Sequence, residues 1–203
     1  MSASWSMRRS FIWIVLAANV AVFLLYRFQK DSMRIALPAE NIDLPILATL
    51  EPFSLTRENG NAFSSNELEG SPWIADFIFT RCPNQCPAMT ARLAALQKSL
   101  PSKIRIVSFS VDPKHDSPDM LKSYADKFEV DPSRWIFLTG NQEDVRRIRS
   151  DFKLGKSGDP ALHSLRFVLV DERSRVRGYY DSEAGDSLSK LLEDARKLLK
   201  HHE

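Results

Sequence analysis

The sequence predicts an α/β domain, and three observations predict it. Residues 73–79 are apolar at nearly every position, as a strand covered on both faces of a sheet is. Residues 104–111 and 135–138 read as a second and third strand, with segments of helical apolar spacing after each of the three. The only two cysteines in the chain, Cys82 and Cys86, sit where the first of these strands ends and the first helix begins.

In chain order, Met7, Arg8 and Arg9 precede an apolar run at residues 11–26, in which only Asn19 and Tyr26 are polar. At about 1.5 Å per residue the run covers ~24 Å of a bilayer core of ~30 Å. Ser10, Phe28 and the stems of Arg9 and Arg27 supply the rest. Residues 1–28 are therefore read as an N-terminal transmembrane helix with a short tail. A cleaved signal peptide is the rival reading, and the bulky residues 25–28 argue against it. Arg8 and Arg9 face Arg27, Lys30 and Arg34 across the run, so the positive-inside rule gives no orientation. Residues 29–48 are a polar linker, and residues 49–203 suit one domain.

Within that domain, residues 53–56, a turn at 58–61 and residues 62–63 predict a short hairpin. Ser64 or Ser65 opens one helical turn that Gly70 ends. After the first interior strand, residues 88–100 form a helix stopped by Pro101. Asp112 and Pro113 break the second strand; Ser117 caps a helix with Pro118 at its first position, running to about Phe128. Asn141 caps a helix over 142–152. A loop at 155–160 leads to His163, residues 166–170 and 176–180 form a hairpin, and an amphipathic helix over 187–199 closes the domain. The order βαβαβαββα around a cysteine pair is a thioredoxin-like pattern.

The net charge of +2, with basic and acidic residues interspersed, excludes the footprint of a nucleic-acid binder. No repeat, low-complexity tract or glycine-rich phosphate loop is present. Two cysteines are too few for a disulfide scaffold, which marks them as chemically active. A thiol at a helix N-terminus is biased towards thiolate, the species that attacks disulfides and binds soft metals. Spaced i, i+4, the pair suits either a disulfide or a shared metal ion. Trp73 and Trp135 head strands and belong to the core. His115 is a turn residue, and Asp112 caps the turn with Ser117 or lies near the active face.

Residues 77–87, FIFTRCPNQCP, resemble the FxFTxCPxxCP signature of the SCO/SenC family. Residues 53–56 with Asn59-Gly60, the run VSFSVDPKHDSP at 107–118, the LTG turn at 138–140 and His163-Ser164 are similar to further family elements in the same order. The resemblance implies a membrane-anchored thioredoxin fold that delivers copper to cytochrome c oxidase. It implies copper ligands Cys82, Cys86 and His163, and as partner the oxidase subunit with the CuA centre or a related cuproprotein. Two thiolates and an imidazole suit Cu(I) and also hold Cu(II). The resemblance further places the domain outside the membrane, and the short leader without an Arg/Ser-rich transit segment reads as bacterial, so the expected location is a bacterial inner membrane with the domain facing the periplasm or cell exterior. Asn84 and Leu162 stand where the family commonly has acidic residues, which removes negative charge near the implied metal.

Asp76 points to a second chemistry. It lies inside the first interior strand, six residues before Cys82. That spacing resembles thioredoxin, where a buried acid assists proton movement in disulfide exchange. A raised pKa for Asp76 and a role in deprotonating Cys86 follow as expectations, unless strand alternation turns the residue to solvent. The alternative function is thus a thiol–disulfide oxidoreductase, with Cys82 attacking and Cys86 resolving. The cysteine context does not match that of a peroxidase.

Overall fold

The computed structural model describes residues 44–154 and 165–200. The predicted anchor, most of the linker and His163 lie outside the described residues. Among the described residues, no helix is long and apolar enough to cross a membrane.

The elements are β1 Ala48–Thr49, β2 Ser54–Arg57, β3 Ala62–Ser64, β4 Trp73–Ile78, α1 Gln85–Gln97, β5 Arg105–Ser110, α2 Pro118–Ala125, β6 Trp135–Thr139, α3 Gln142–Asp151, β7 Arg166–Val170, β8 Arg175–Asp181 and α4 Gly185–Lys200. The eight strands form one sheet in the order β1-β8-β7-β4-β5-β6-β2-β3. Strands β4, β5 and β6 run parallel, joined by helical crossovers, while β7, β8 and the leading hairpin pair antiparallel. This mixed sheet bears out the thioredoxin-like α/β fold.

Alternation along the central strands splits the core in two. Ile74 and Ile78 of β4 join Ile106, Trp135, Phe137 and the inner residues of α1, α2 and α4 on one face. Trp73, Ala75 and Phe77 join Val107, Phe109 and Phe152 on the other. There Phe77 stacks on Phe109 at 5.1 Å and meets Phe152 edge-on at 5.2 Å. Trp73 and Trp135 are both buried, as expected of core residues.

Several boundaries differ from the sequence reading, among them the end of α2, at Ala125 rather than about Phe128. Helix α1 begins at Gln85, three residues earlier than residue 88, because Pro87 sits in the first helical turn, where no intrahelical N–H bond is lost. It also ends earlier, at Gln97. The sheet starts inside the stretch assigned to the linker: Ala48 pairs with Val176, and Arg177 donates to the Leu44 carbonyl. The leading hairpin keeps its turn, where Gly60 takes the left-handed φ of 82° that only glycine adopts freely. Ser117 caps α2 by accepting from the Met120 amide at 3.4 Å, and Asn141 caps α3 by accepting from the Asp144 amide at 2.8 Å.

Candidate dithiol site

The loop that leaves β4 carries Cys82, and the first turn of α1 carries Cys86. Asn84 occupies the N-cap position of α1 but makes no capping bond with its side chain. The Cys82 sulfur partly substitutes for that cap, since the Cys86 amide donates to Sγ at 3.2 Å. Both residues are thiols, with no disulfide between them. Cys86 is wholly buried against the sheet and Cys82 nearly so.

The two thiols have opposite electrostatics. Burial works to raise the Cys82 pKa, but the amide and thiol of Cys86 and the amides of Asn84 and Gln85 outweigh it and bring the net value below the ordinary thiol range. Burial pushes the Cys86 thiol well above that range, and the Cys82 and Asp76 charges add to the effect. The helix-terminus expectation therefore holds for Cys82 and fails for Cys86. The latter lies inside the first turn with its side chain directed into the core, where desolvation exceeds the dipole.

Asp76 does not turn to solvent. It shares its face of β4 with Ile74 and Ile78, the face that α1 covers, and is fully buried. Parallel pairing sets Ser108 of β5 directly beside it, and the Ser108 hydroxyl donates to Oδ1 at 2.6 Å. Oδ2 is buried with no hydrogen-bond partner. Burial pushes the carboxyl up to about 7, against the opposing pull of the Ser108 hydrogen bond. The Trp135 indole N–H in turn donates to Ser108 Oγ at 2.9 Å. Tyr124 of α2 closes this side: its hydroxyl meets Thr90 Oγ1 at 2.9 Å, and burial raises its pKa, with Cys86, Asp76 and Cys82 adding to the rise.

The turn after β5 braces the cysteine loop from the other side. Buried Asp116 accepts from the Thr80 hydroxyl at 2.6 Å and from its amide at 3.2 Å. Asp112 makes an exposed pair with Arg81 at 2.8 Å and another with His115. Burial works to raise the Asp112 pKa, and these two neighbours outweigh it and hold the carboxyl below its usual value. Asp112 thus lies near the active face, as one of its two expectations had it, and Ser117 makes its cap without it. Ser108 and Asp116 lie within the family-like run at 107–118 without being singled out there, and Tyr124 carries no mark in the sequence that sets it apart. The one usable signal for Ser108 is the parallel register, which sets the polar residue of each interior strand side by side.

Cys82, Cys86 and Asp76 are thus brought to one face of the sheet, and His163 lies outside the described residues. Among the described residues, no group of three His, Cys, Asp or Glu side chains is placed to hold a metal ion. The two sulfurs fit a soft cation such as Cu(I) as two of its donors, and any third donor would come from outside the described residues.

The sequence model of the SCO1/SenC family matches residues 46–200. Among solved structures, the chain is similar to a SCO1/SenC family lipoprotein from Bacillus anthracis str. Ames (35% identical, covering 76% of this chain and 97% of that one, TM-score 0.68). It is similar to BsSco, a Sco-family cytochrome c oxidase assembly protein in which a disulfide switch has been identified (33% identical, 76% and 95% covered, TM-score 0.67). It is also similar to yeast Sco1 with copper bound (28% identical, 73% and 89% covered, TM-score 0.60).

Proposed function

The chain belongs to the SCO1/SenC family, and on that premise we propose that it binds copper and passes it to cytochrome c oxidase, at the subunit bearing CuA, or to a related cuproprotein. Cys82 and Cys86 supply two sulfur donors and His163 an imidazole nitrogen as the third ligand atom. The observation that carries this reading is the contact of the Cys86 amide with Cys82 Sγ, which holds the two sulfur-bearing residues together at the mouth of α1. The copper-bound form of yeast Sco1, a similar structure, supports it. Cu(I) titration against a strong chelator tests it: wild type takes the metal, and H163A holds it more weakly. A wild-type chain that takes none rejects the copper role.

A second reading rests on Asp76, whose buried, unpartnered Oδ2 is a proton-accepting atom on the dithiol side of the sheet. In it, the Cys82 thiolate attacks a partner disulfide and one partner thiolate leaves. Cys86 then gives its proton to Asp76 and attacks the Cys82 sulfur. The second partner thiolate departs, so the partner gains the two electrons and the chain ends as a disulfide. The disulfide switch identified in BsSco favours this chemistry alongside copper binding. A domain that binds no copper yet reduces a small disulfide substrate would make this the principal activity.

For placement, residues 11–26 serve as a single membrane-spanning anchor, residues 29–43 as its tether, and the domain from residue 44 faces the periplasm or cell exterior. The apolar run supports the anchor, and the likeness to a bacterial lipoprotein supports a membrane-held domain. Protease added to intact spheroplasts should cut the domain away. Protection until lysis would reverse the orientation.

A further inference from the structure

We propose that Asp116 is a positioning residue for Cys82: a buried carboxylate clamp that fixes the loop carrying the thiol from the turn after β5. The proposal rests on the reading of Cys82 as the reactive and metal-binding thiol.

The two segments start side by side, since the Val111 amide donates to the Ile78 carbonyl at 2.8 Å where β4 and β5 end. From there one chain runs to Cys82 and the other to Asp116. The Thr80 hydroxyl donates to Asp116 Oδ1 at 2.6 Å, the Thr80 amide reaches both carboxylate oxygens at 3.2 and 3.3 Å, and the Ser110 hydroxyl donates to Oδ2 at 2.5 Å. Ser110 Oγ also accepts from the Asp112 amide at 3.1 Å. That leaves its only hydroxyl proton for Asp116. Every one of these hydrogen bonds is donated to the carboxylate, and together they reach both of its oxygens.

Two residues beyond Thr80 the chain reaches Cys82, whose amide closes a turn onto the Phe79 carbonyl at 3.2 Å. A loop held at Thr80 and folded back at Cys82 presents the sulfur to the Cys86 amide. The exposed Arg81–Asp112 pair joins the same two segments, but a solvent-facing pair contributes little. A buried carboxylate is costly unless fully hydrogen-bonded, and here Thr80, on the segment that carries the thiol, supplies the amide and one hydroxyl bond while Ser110 at the end of β5 supplies the other hydroxyl bond.

The test compares T80V, which keeps the amide and loses the hydroxyl, with T80S, which keeps both, and with D116N. The readouts are the alkylation rate of Cys82 by iodoacetamide in the reduced, metal-free full chain at pH 7, mapped by mass spectrometry, and Cu(I) competition. The expected result is alkylation about fivefold slower in T80V, the scale of one lost hydrogen bond, with near wild-type rates in T80S. Cu(I) affinity falls in parallel, and T80V melts a few degrees below wild type but stays folded at the assay temperature. Should D116N fail to fold, the Thr80 pair still decides. Rates equal in T80V and T80S, or faster in T80V, overturn the clamp. A wild type that takes no Cu(I), with T80V alkylated more slowly as expected, supports the clamp and rejects only the copper role.

Discussion

Ser108 is locked onto Asp76 by a third residue. The Trp135 indole is a donor only, so its 2.9 Å bond to Ser108 Oγ makes the hydroxyl an acceptor there. The single Ser108 proton is therefore committed to Asp76 Oδ1, 2.6 Å away. Oδ1 receives this bond whether or not the acid is ionised. The proton that Asp76 gains or loses sits on Oδ2, the oxygen without a partner.

The first prediction follows from that direction of donation. The Ser108 bond pulls the Asp76 pKa down against burial. S108A removes it, so the carboxyl should titrate above its wild-type value of about 7. W135F leaves the hydroxyl free to rotate and should move the titration the same way by less. Carboxyl-carbon NMR of the reduced protein measures both. A downward shift in S108A would mean that the hydroxyl does not serve the ionised form.

The same acid sets a pH dependence of stability. Its folded pKa of about 7 exceeds the ordinary carboxyl value of 3.8, so between these values the folded state holds a proton that the unfolded chain has released. Stability should therefore fall as pH rises through this window. D76N lacks the penalty. It should be the more stable protein at pH 8, by about 1–3 kcal/mol once its own unpaired amide is counted, with little difference at pH 4. Urea unfolding at the two pH values gives the comparison, and equal differences at both would assign the effect to packing.

These effects show how far the sequence can be read. Interior strands, helices and caps are legible because apolar runs, Ser117 and Asn141 act locally. The start of α1 is not: Pro87 reads as a breaker until the register of the first turn is known. The pairing of Asp76 with Ser108 depends on which residue of β5 lies beside β4, a non-local fact. Asp116 falls in the family-like run at 107–118, but its role is hidden for the same reason, as its partner Thr80 is 36 residues away. The inverted thiol electrostatics have no sequence signal, because Cys82 and Cys86 share one motif and differ in the amides that face each sulfur and in how fully desolvation goes uncompensated.

If Asp76 accepts the Cys86 proton during exchange, the rate at which the protein reduces a small disulfide should show an inflection near pH 7, where the carboxyl titrates. D76N should lose that inflection and be slower above it, whereas D112N, on the exposed side of the loop, should retain it. Stopped-flow rates from pH 5 to 9 make the comparison. An inflection that survives in D76N belongs to another group.

Copper binding should depend on pH through Cys86 itself. Burial holds this thiol protonated far into the alkaline range. A thiolate ligand must lose its proton to bind metal, so each Cu(I) taken up should expel at least the Cys86 proton between pH 6 and 8. Apparent affinity should then rise about tenfold per pH unit across this range, after correction for the chelator's own protonation. C86S removes both the donor and the proton, so its weaker residual binding should follow pH with a slope lower by about one. H163A should retain the Cys86 slope while losing affinity at every pH, by more than the ~10–100-fold typical of an outer partner. Competition titrations at pH 6, 7 and 8 separate these contributions, and a wild-type affinity independent of pH would show that Cys86 keeps its proton and is not a ligand.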